Sequence, residues 1–241
     1  MRLIFSMIFL WASSMSMPDA HNHSNTLRAL KSSSAYHDPA GKWAETVLNF
    51  HIEEPRVGNP TRYSEIFLNI ADGTFSLVRN REDHLTTYSM DANNNPLVLL
   101  DGNEQFDEEQ RARYRLFPDR VKGYRDFYRV LYGLPMSLDY TLIRKIEDMR
   151  EAEFQGEDML MIGITWFDPV VKAYWKIYLE KDTFQVRGVE LTDKNNPDSG
   201  ERIIFEDLVE FKGLMIPRMH HWYSISENAY LGSDIIMTSP S

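Results

Sequence analysis

The chain has 241 residues, of which 43% are hydrophobic and 26% are charged, so it can bury one sizeable core and is not disordered throughout. Because it contains no cysteine, disulfides, thiolate metal ligands, a cysteine nucleophile and a lipid-modified N-terminal cysteine are excluded. Its net charge of -10 argues against nucleic acid as a partner, since an acidic surface repels the phosphate backbone.

The N-terminal segment has the layout of a secretory signal peptide. Arg2 precedes a short apolar run over residues 3–11, and small and polar residues follow over 12–16. We therefore expect residues 1–20 to be a signal peptide, approximately, and the product to be exported to the periplasm or cell envelope. No later apolar segment approaches the length of a membrane helix, so no membrane span is predicted in the mature chain.

The first half of the chain predicts a short helix followed by a meander of strands. Ser24 can cap a helix that extends to about Ala35. Alternation of apolar and polar residues then predicts half-exposed strands, and Asp72-Gly73 is a tight hairpin signal. The predicted strands are residues 44–52, 66–70, 75–79, 85–90 and 97–100, with a turn over 55–60.

The middle of the chain predicts two helices. Residues 104–115 are dense in charge and helical in pattern. The second helix covers 118–133, because Pro118 suits a first turn, Gly133 can end the helix and Pro135 prevents its continuation. It carries an apolar stripe at helical spacing, formed by Val121, Tyr124, Phe127, Tyr128 and Leu131.

Strands resume after this helix, and they complete a set of ten or eleven. They are predicted over residues 160–166, 173–179, 184–191, 203–209, 215–223 and 230–237. Strands at short, regular intervals favour a curved antiparallel sheet or barrel over βαβ units. The predicted class is α+β, mostly β, and residues 21–241 are predicted to form a single domain because no linker separates the two halves.

Two polar segments resemble metal-binding sequences. His21 and His23, with a free amine, would offer a copper or nickel site only if cleavage followed Ala20; the alternative is a solvated leader. Asp91-x-Asn93-x-Asn95 begins like a calcium loop, but Pro96 and Gly102 stand where glycine and glutamate are required. We therefore interpret residues 91–96 as a hairpin turn and predict no metal ligands.

The remaining histidines do not form a catalytic pattern. His37 and Asp38 are adjacent, and neighbouring side chains rarely point at each other; a histidine near a helix C-terminus is favoured by the dipole alone. His220 and His221 lie on a predicted strand and should face opposite sides of the sheet. No nucleophile motif, phosphate loop or dinucleotide fingerprint occurs. We predict no catalytic residues, no cofactor and no enzymatic activity.

Several short motifs occur in an order and spacing that resemble a known domain family. They are Tyr36-His37-Asp38-Pro39 with Trp43, Tyr132-Gly133-Leu134-Pro135-Met136, Gly200-Glu201, Ile216-Pro217-Arg218 and Tyr230-Leu231-Gly232-Ser233-Asp234. Together they resemble an uncharacterised domain family of exported bacterial proteins, over about residues 27–237. That family in turn is similar to the lipoprotein-carrier fold of the LolA/LolB type.

The resemblance implies a strongly curved antiparallel sheet that forms an unclosed barrel, with helices over its concave apolar face. Carriers of this type bind lipid-modified partners in that cavity, and none of their characterised functional residues matches a motif here. We therefore expect a soluble periplasmic binding or carrier protein for an apolar ligand, either an acyl chain or a lipid-modified partner. The predicted ligand-binding residues are Leu48, Phe50, Ile66, Leu68, Tyr124, Tyr128 and Leu131. The alternative is a non-catalytic envelope scaffold whose barrel is fully packed.

Overall fold

The computed structural model describes residues 19–170, 172–193 and 195–237. The predicted signal peptide, residues 1–20, lies outside these ranges except for its last two residues. In the described part of the chain, no helix combines the length and the apolar character that a membrane crossing requires.

Within these ranges the chain forms thirteen β-strands and three α-helices. The helices are α1 (Asp19–His37), α2 (Glu108–Tyr114) and α3 (Asp119–Gly133). The strands before the last two helices are β1 (Val47–Arg56), β2 (Asn59–Asn69), β3 (Phe75–Arg81), β4 (His84–Met90) and β5 (Pro96–Leu100). The strands after them are β6 (Ile143–Ile146), β7 (Arg150–Phe154), β8 (Glu157–Val170), β9 (Lys172–Leu179), β10 (Val186–Asp193), β11 (Asn196–Phe211), β12 (Leu214–Ser224) and β13 (Tyr230–Ile236).

The strands form one antiparallel sheet that does not close on itself. Their order is β5-β4-β3-β2-β1-β13-β12-β11-β10-β9-β8-β6, with β7 also pairing with β8. In the described residues β5 and β6 are the two ends of this order and do not pair with each other. The α+β, mostly β class with an unclosed antiparallel sheet is confirmed.

Helix α3 lies inside the curve of the sheet. It contacts β4 and β5 near one end of the strand order, β12 in the middle and β8 near the other end. Strands so far apart in the order can reach one helix only if the sheet curls around it. The helix fills the interior with Val121, Tyr128 and Leu131, all buried, so most of the predicted apolar stripe belongs to the core.

The hairpin of β1 and β2 shows how the sequence sets which residues face inward. Leu48 is paired with Leu68 and Phe50 with Ile66 across the two strands, and all four side chains are buried. Their alternation with exposed residues fixes the register, because a shift by one residue would turn this whole set to solvent.

Some predicted boundaries were wrong. The strand predicted from Ala44 begins at Val47, because Trp43–Glu45 forms a short 3-10 helix. The second strand begins at Asn59 instead of Ile66, so the predicted turn over 55–60 shrinks to residues 57–58. Both strands extend beyond the segment in which apolar and polar residues alternate, because their outer ends carry polar and charged residues.

The charged segment over 104–115 is helical only from Glu108 to Tyr114. A capping box starts the helix: Gln110 donates its backbone N–H to the Asp107 side chain, and Asp107 donates its own to the Gln110 side chain. Arg115 adopts a left-handed conformation and ends the helix. Strands β6 and β7 were not predicted, because each is short and at least half of its residues are charged. The described chain therefore has thirteen strands instead of ten or eleven.

Candidate functional site

A cavity of about 530 Å³ opens between α3 and the sheet. Its helix wall is formed by Gly123, Tyr124, Phe127 and Tyr128, and its sheet wall by strands β1, β2, β3, β11, β12 and β13. The apolar part of the sheet wall comes from Trp222 and Leu231. The site therefore lies where the first and last strands of the chain meet beneath the helix.

Aromatic rings line one side of this cavity. The ring centre of Phe127 lies 6.0 Å from that of Trp222 and 5.5 Å from that of Tyr128. The Tyr128 ring in turn stacks with Tyr132 at 5.9 Å and with Phe75 at 6.2 Å. The cavity wall is thus continuous with the aromatic core, which holds the wall residues in fixed positions.

The seven residues predicted to bind ligand divide into two groups. Tyr124 and Tyr128 line the cavity. The other five are no more than 2% exposed and belong to the packed core: Leu48, Phe50, Ile66, Leu68 and Leu131. The structure brings all seven to the concave side of the sheet, but the core group is packed between the sheet and α3, to which Leu131 itself belongs. Ligand binding by any of them stays a prediction.

The other side of the cavity is cationic. Five arginines line it: Arg56, Arg62, Arg79, Arg115 and Arg120. A second cavity of about 640 Å³, next to the β1–β2 hairpin and α2, shares Arg56, Arg62 and Leu231 with the first and adds Arg81 and Arg113. We call the seven arginines of the two cavities the arginine cluster: Arg56, Arg62, Arg79, Arg81, Arg113, Arg115 and Arg120. The sequence analysis did not predict it.

A buried carboxylate organises the inner part of the arginine cluster. Glu54 Oε1 accepts a hydrogen bond from Arg79 Nη2 at 2.8 Å, and its Oε2 lies 2.6 Å from Arg62 Nη2 and 3.3 Å from Arg56 Nη2. The Glu54 side chain is only 2% exposed. Burial alone would raise the pKa of this carboxyl, but the guanidinium groups, led by Arg79 and Arg62, hold it below 4.5. Glu54 is therefore ionised at neutral pH.

Two further contacts join this ion cluster to the aromatic wall. Arg79 Nη2 donates to Tyr128 Oη at 2.5 Å, and burial raises the pKa of Tyr128 to about 12. Asp234 accepts hydrogen bonds from Arg56 Nη2 and, at 3.0 Å, from Trp222 Nε1. Burial and the nearby Glu54 raise the pKa of Asp234. The polar and aromatic halves of the wall therefore form one hydrogen-bonded unit.

The His37-Asp38 pair is structural. His37 Nε2 accepts from the Val186 N–H at 3.0 Å, and its Nδ1 lies 2.6 Å from the Met215 carbonyl, so the neutral ring donates there. Burial lowers the pKa of His37, which favours this neutral form. The Asp38 carboxylate accepts from the backbone N–H of residues 42 and 43, both at 2.8 Å. The two side chains thus anchor α1 and the turn that follows it.

The other polar segments also have structural contacts. His220 is fully buried, whereas His221 contacts Ser233 and Glu206, as expected for opposite faces of a strand. Asp91 accepts from the backbone of Asn93 and Asn95 and closes a turn. His23 lies 3.8 Å from Asp148, and the side chain of His21 is outside the described residues. In the described ranges no three His, Asp or Glu side chains are grouped as a metal site would require.

Comparison with known proteins gives a family match. The profile of the family described as "Family of unknown function (DUF6503)" matches residues 4–238, which includes the range of the motifs noted in the sequence. No curated protein matches the chain.

Several solved structures are similar at low identity. A LolA superfamily protein from Nitrosomonas europaea is 9% identical, with a TM-score of 0.49 over 89% of this chain and 94% of that chain. A domain described as an outer membrane lipoprotein-sorting protein, from Vibrio parahaemolyticus, is 10% identical, with a TM-score of 0.49 over 88% and 90%. A DUF1329 family protein from Desulfovibrio piger is 14% identical, with a TM-score of 0.38 over 88% and 95%.

Proposed function

The chain belongs to the DUF6503 family, and from the cavity beneath α3 we propose that it is a non-catalytic binding or carrier protein for an apolar or amphiphilic ligand. An acyl chain, free or attached to a protein, is the proposed ligand class. The signal-like N-terminal sequence supports a place of action in the periplasm or cell envelope. The observation that carries the proposal is an open, partly aromatic cavity between a helix and the concave face of the sheet.

The dimensions and lining of the cavity support ligand binding. Its volume of about 530 Å³ is within the range of small-molecule sites, about 300–1,000 Å³. Phe127, Trp222 and Leu231 give an apolar surface, and the Tyr124 ring lies beside them. Apolar walls with a few fixed polar groups are the usual composition of such sites.

A second candidate is the scaffold function, in which the interior is filled and only the outer surface binds partners. The observation that favours it is that five predicted ligand-binding residues are packed in the core between α3 and the sheet. In that case the space beside Phe127 and Trp222 would hold no apolar ligand. The two candidates therefore differ in whether the cavity can be occupied.

Gly123 allows this difference to be tested without disturbing the core. It lines the cavity, and a Cβ built at this position meets nothing within 4 Å. It lies one helical turn before Phe127 and three residues after Arg120, on the face of α3 that borders the cavity. A large side chain here should enter the cavity, and removal of a glycine from a helix interior costs no helix stability.

We expect Gly123→Trp to block the cavity and Gly123→Ala to leave it open. The measurement is a titration with phenylnaphthylamine, an uncharged fluorescent probe, on both variants and the wild type, each checked by circular dichroism. The wild type and Gly123→Ala should show equal saturable binding, and Gly123→Trp should bind at least about tenfold more weakly, which corresponds to roughly 1.4 kcal/mol. Native mass spectrometry of protein from the exported fraction should also show a bound acyl species.

The absence of saturable probe binding to the wild type, together with a mass that shows no bound lipid, would refute the carrier function and favour the scaffold. Equal binding by Gly123→Trp would also count against the cavity, because the probe would then occupy another surface.

A further inference from the structure

The arginine cluster is a local excess of positive charge on an acidic protein. The chain has a net charge of -10, yet seven of its 26 lysines and arginines line the two adjoining cavities. The carboxylates that line these cavities are three: Glu82, Glu201 and Asp234. All seven cations are arginines, whose planar guanidinium group can make two parallel hydrogen bonds to a carboxylate or phosphate.

The acidic side chains neutralise only part of the cluster. Glu54 and Asp234 pair with Arg56, Arg62 and Arg79, and Glu82 pairs with Arg113 at 2.6 Å. In the described part of the chain, no carboxylate pairs with Arg81, Arg115 or Arg120. Three guanidinium groups therefore remain without a counter-charge beside the cavities.

Hydrogen-bond donors in the cluster also lack acceptors. The Nε atoms of Arg62 and Arg81 are buried and have no hydrogen-bond partner within the described residues. A buried donor without a partner is unfavourable, and the cost disappears when an acceptor arrives. Arg115 and Arg120 are exposed where they border the first cavity, and Arg120 rests over the Phe117 ring at 5.8 Å.

The electrostatic environment of Arg62 agrees with this shortage of negative charge. Burial lowers its pKa, and repulsion from Arg79, Arg56 and Arg81 lowers it further, against the attraction of Glu54 alone. An anion beside Arg62 would relieve this repulsion.

We propose that Arg62, Arg115 and Arg120 bind the anionic head group of an amphiphile whose apolar part lies against Phe127 and Trp222. The head group is a carboxylate or a phosphate, the oxyanions that a guanidinium group binds in a bidentate manner. This inference rests on the proposed function, since it assumes that an apolar chain occupies the same cavity. Beyond that function, the inference specifies that the ligand is anionic and that these three arginines select for its charge.

The test is a competition between ligands that share a chain and differ in charge. Dodecyl phosphate, dodecanol and inorganic phosphate are each titrated against bound phenylnaphthylamine, in the wild type and in the Arg115→Gln/Arg120→Gln double variant. Both replaced side chains are exposed, so the double variant should fold. Arg144→Gln is the matched control, because Arg144 is exposed on β6, at an end of the strand order away from the cavity.

We expect the wild type to bind dodecyl phosphate at least about tenfold more tightly than dodecanol. The double variant should lose most of that preference while its affinity for dodecanol is unchanged, and Arg144→Gln should behave as wild type. The preference should also fall as salt is raised, because the cluster borders solvent.

The possible failures are distinguishable. Equal affinities for dodecyl phosphate and dodecanol in the wild type would overturn the head-group site and leave the proposed function standing. Displacement by inorganic phosphate as strong as that by dodecyl phosphate would show a site for a small anion, and would overturn the amphiphile. No displacement by any chain-bearing ligand would refute the proposed function itself.

Discussion

The carboxylate of Glu54 has a structural role that precedes any ligand. Its two oxygens contact Arg56, Arg62 and Arg79, and Ser64 Oγ donates to Oε1 at 2.5 Å. These groups come from three neighbouring strands, because Glu54 is paired with Arg62 across β1 and β2, and Ser64 with Arg79 across β2 and β3. Glu54 therefore fixes the positions of the three arginines of the first cavity that lie on strands.

Removal of this charge should be strongly destabilising. Glu54→Gln leaves three guanidinium groups without their shared counter-charge, and we expect a loss of about 3–5 kcal/mol in the free energy of unfolding. Urea denaturation at pH 7 measures it. Glu53→Gln, a neighbour on the same strand with no ion pair in the described chain, is the control and should change stability by less than about 0.5 kcal/mol.

The sign of the pH dependence also follows from Glu54. In the folded protein the pKa of Glu54 lies below 4.5, its value in the unfolded chain. The stability that the Glu54 charge contributes is therefore complete above pH 4.5 and is lost as the pH falls through the folded pKa. The same stability for wild type and Glu54→Gln at pH 7 would contradict the buried ion cluster.

His220 should make the protein sensitive to mild acid in a separate pH range. Its ring lies between Tyr132 and Phe205 at 4.7 and 4.8 Å, and neither ring nitrogen has a hydrogen-bond partner among the described residues. Burial, with a smaller effect from His221, lowers the pKa of His220 to about 3. The unfolded chain takes up this proton near pH 6.5 and the folded protein does not, so stability falls as the pH drops below 6.5.

Between pH 7 and pH 5 we expect the free energy of unfolding to fall by about 2 kcal/mol more in the wild type than in His220→Phe. This is the effect of one proton that binds the unfolded chain and not the folded protein. Urea denaturation at the two pH values provides the comparison, with His51→Asn at an exposed position as control. His37 contributes in the same direction, because burial lowers its pKa too, so the variant should retain part of the dependence. Identical pH dependence in wild type and His220→Phe would rule this explanation out.

At the level of the elements, the two glycines of α3 have opposite surroundings. A Cβ on Gly133 would lie 2.3 Å from Trp43 Cζ2 and 2.7 Å from Ser137 Cβ, whereas Gly123 has free space. The end of α3 therefore packs directly against the 3-10 helix that contains Trp43. This contact gives a physical reason for the presence of Gly133 and Trp43 in the motifs noted in the sequence.

The same substitution should thus have opposite effects at the two positions. We expect Gly133→Ala to destabilise the protein by about 1–3 kcal/mol through overpacking, and Gly123→Ala to stabilise it by up to about 1 kcal/mol through helix propensity. Thermal denaturation of the two variants in parallel measures the difference. A gain in stability for Gly133→Ala would mean that Trp43 can move aside freely.

The elements that the sequence predicted well are those with strong local signals. Helix α3 was predicted to within one residue, because Pro118 and Gly133 mark its ends. Strand β7, Arg150–Phe154, was missed because three of its five residues are charged. It is a strand because it pairs with β8, a contact that the local sequence pattern does not show. Local periodicity detects an element only when that element has its own apolar face.

At the scale of the whole molecule, the class of fold could be predicted and the cationic half of the cavity could not. The members of the arginine cluster span residues 56–120, and each alone is an ordinary surface charge in the sequence. Predicting β2 from Ile66 left Arg62 and Ser64 off the strand, so the pairing of Arg62 with Glu54 could not be foreseen. Only the long-range pairing of β1 with β13 adds Asp234 and Leu231 to the same site. The single domain over residues 21–241 stays a prediction.

The open sheet also bears on how copies of the protein meet one another. An end strand exposes unpaired backbone N–H and C=O groups, which can recruit a strand from another chain and begin aggregation. Here β5 has five residues and starts with Pro96, which has no N–H to offer, while β6 has four residues and exposes Arg144 and Lys145. Short length, proline and like charges all oppose edge-to-edge pairing. These features lower the tendency of β5 and β6 to recruit strands from another chain while the sheet stays open around α3.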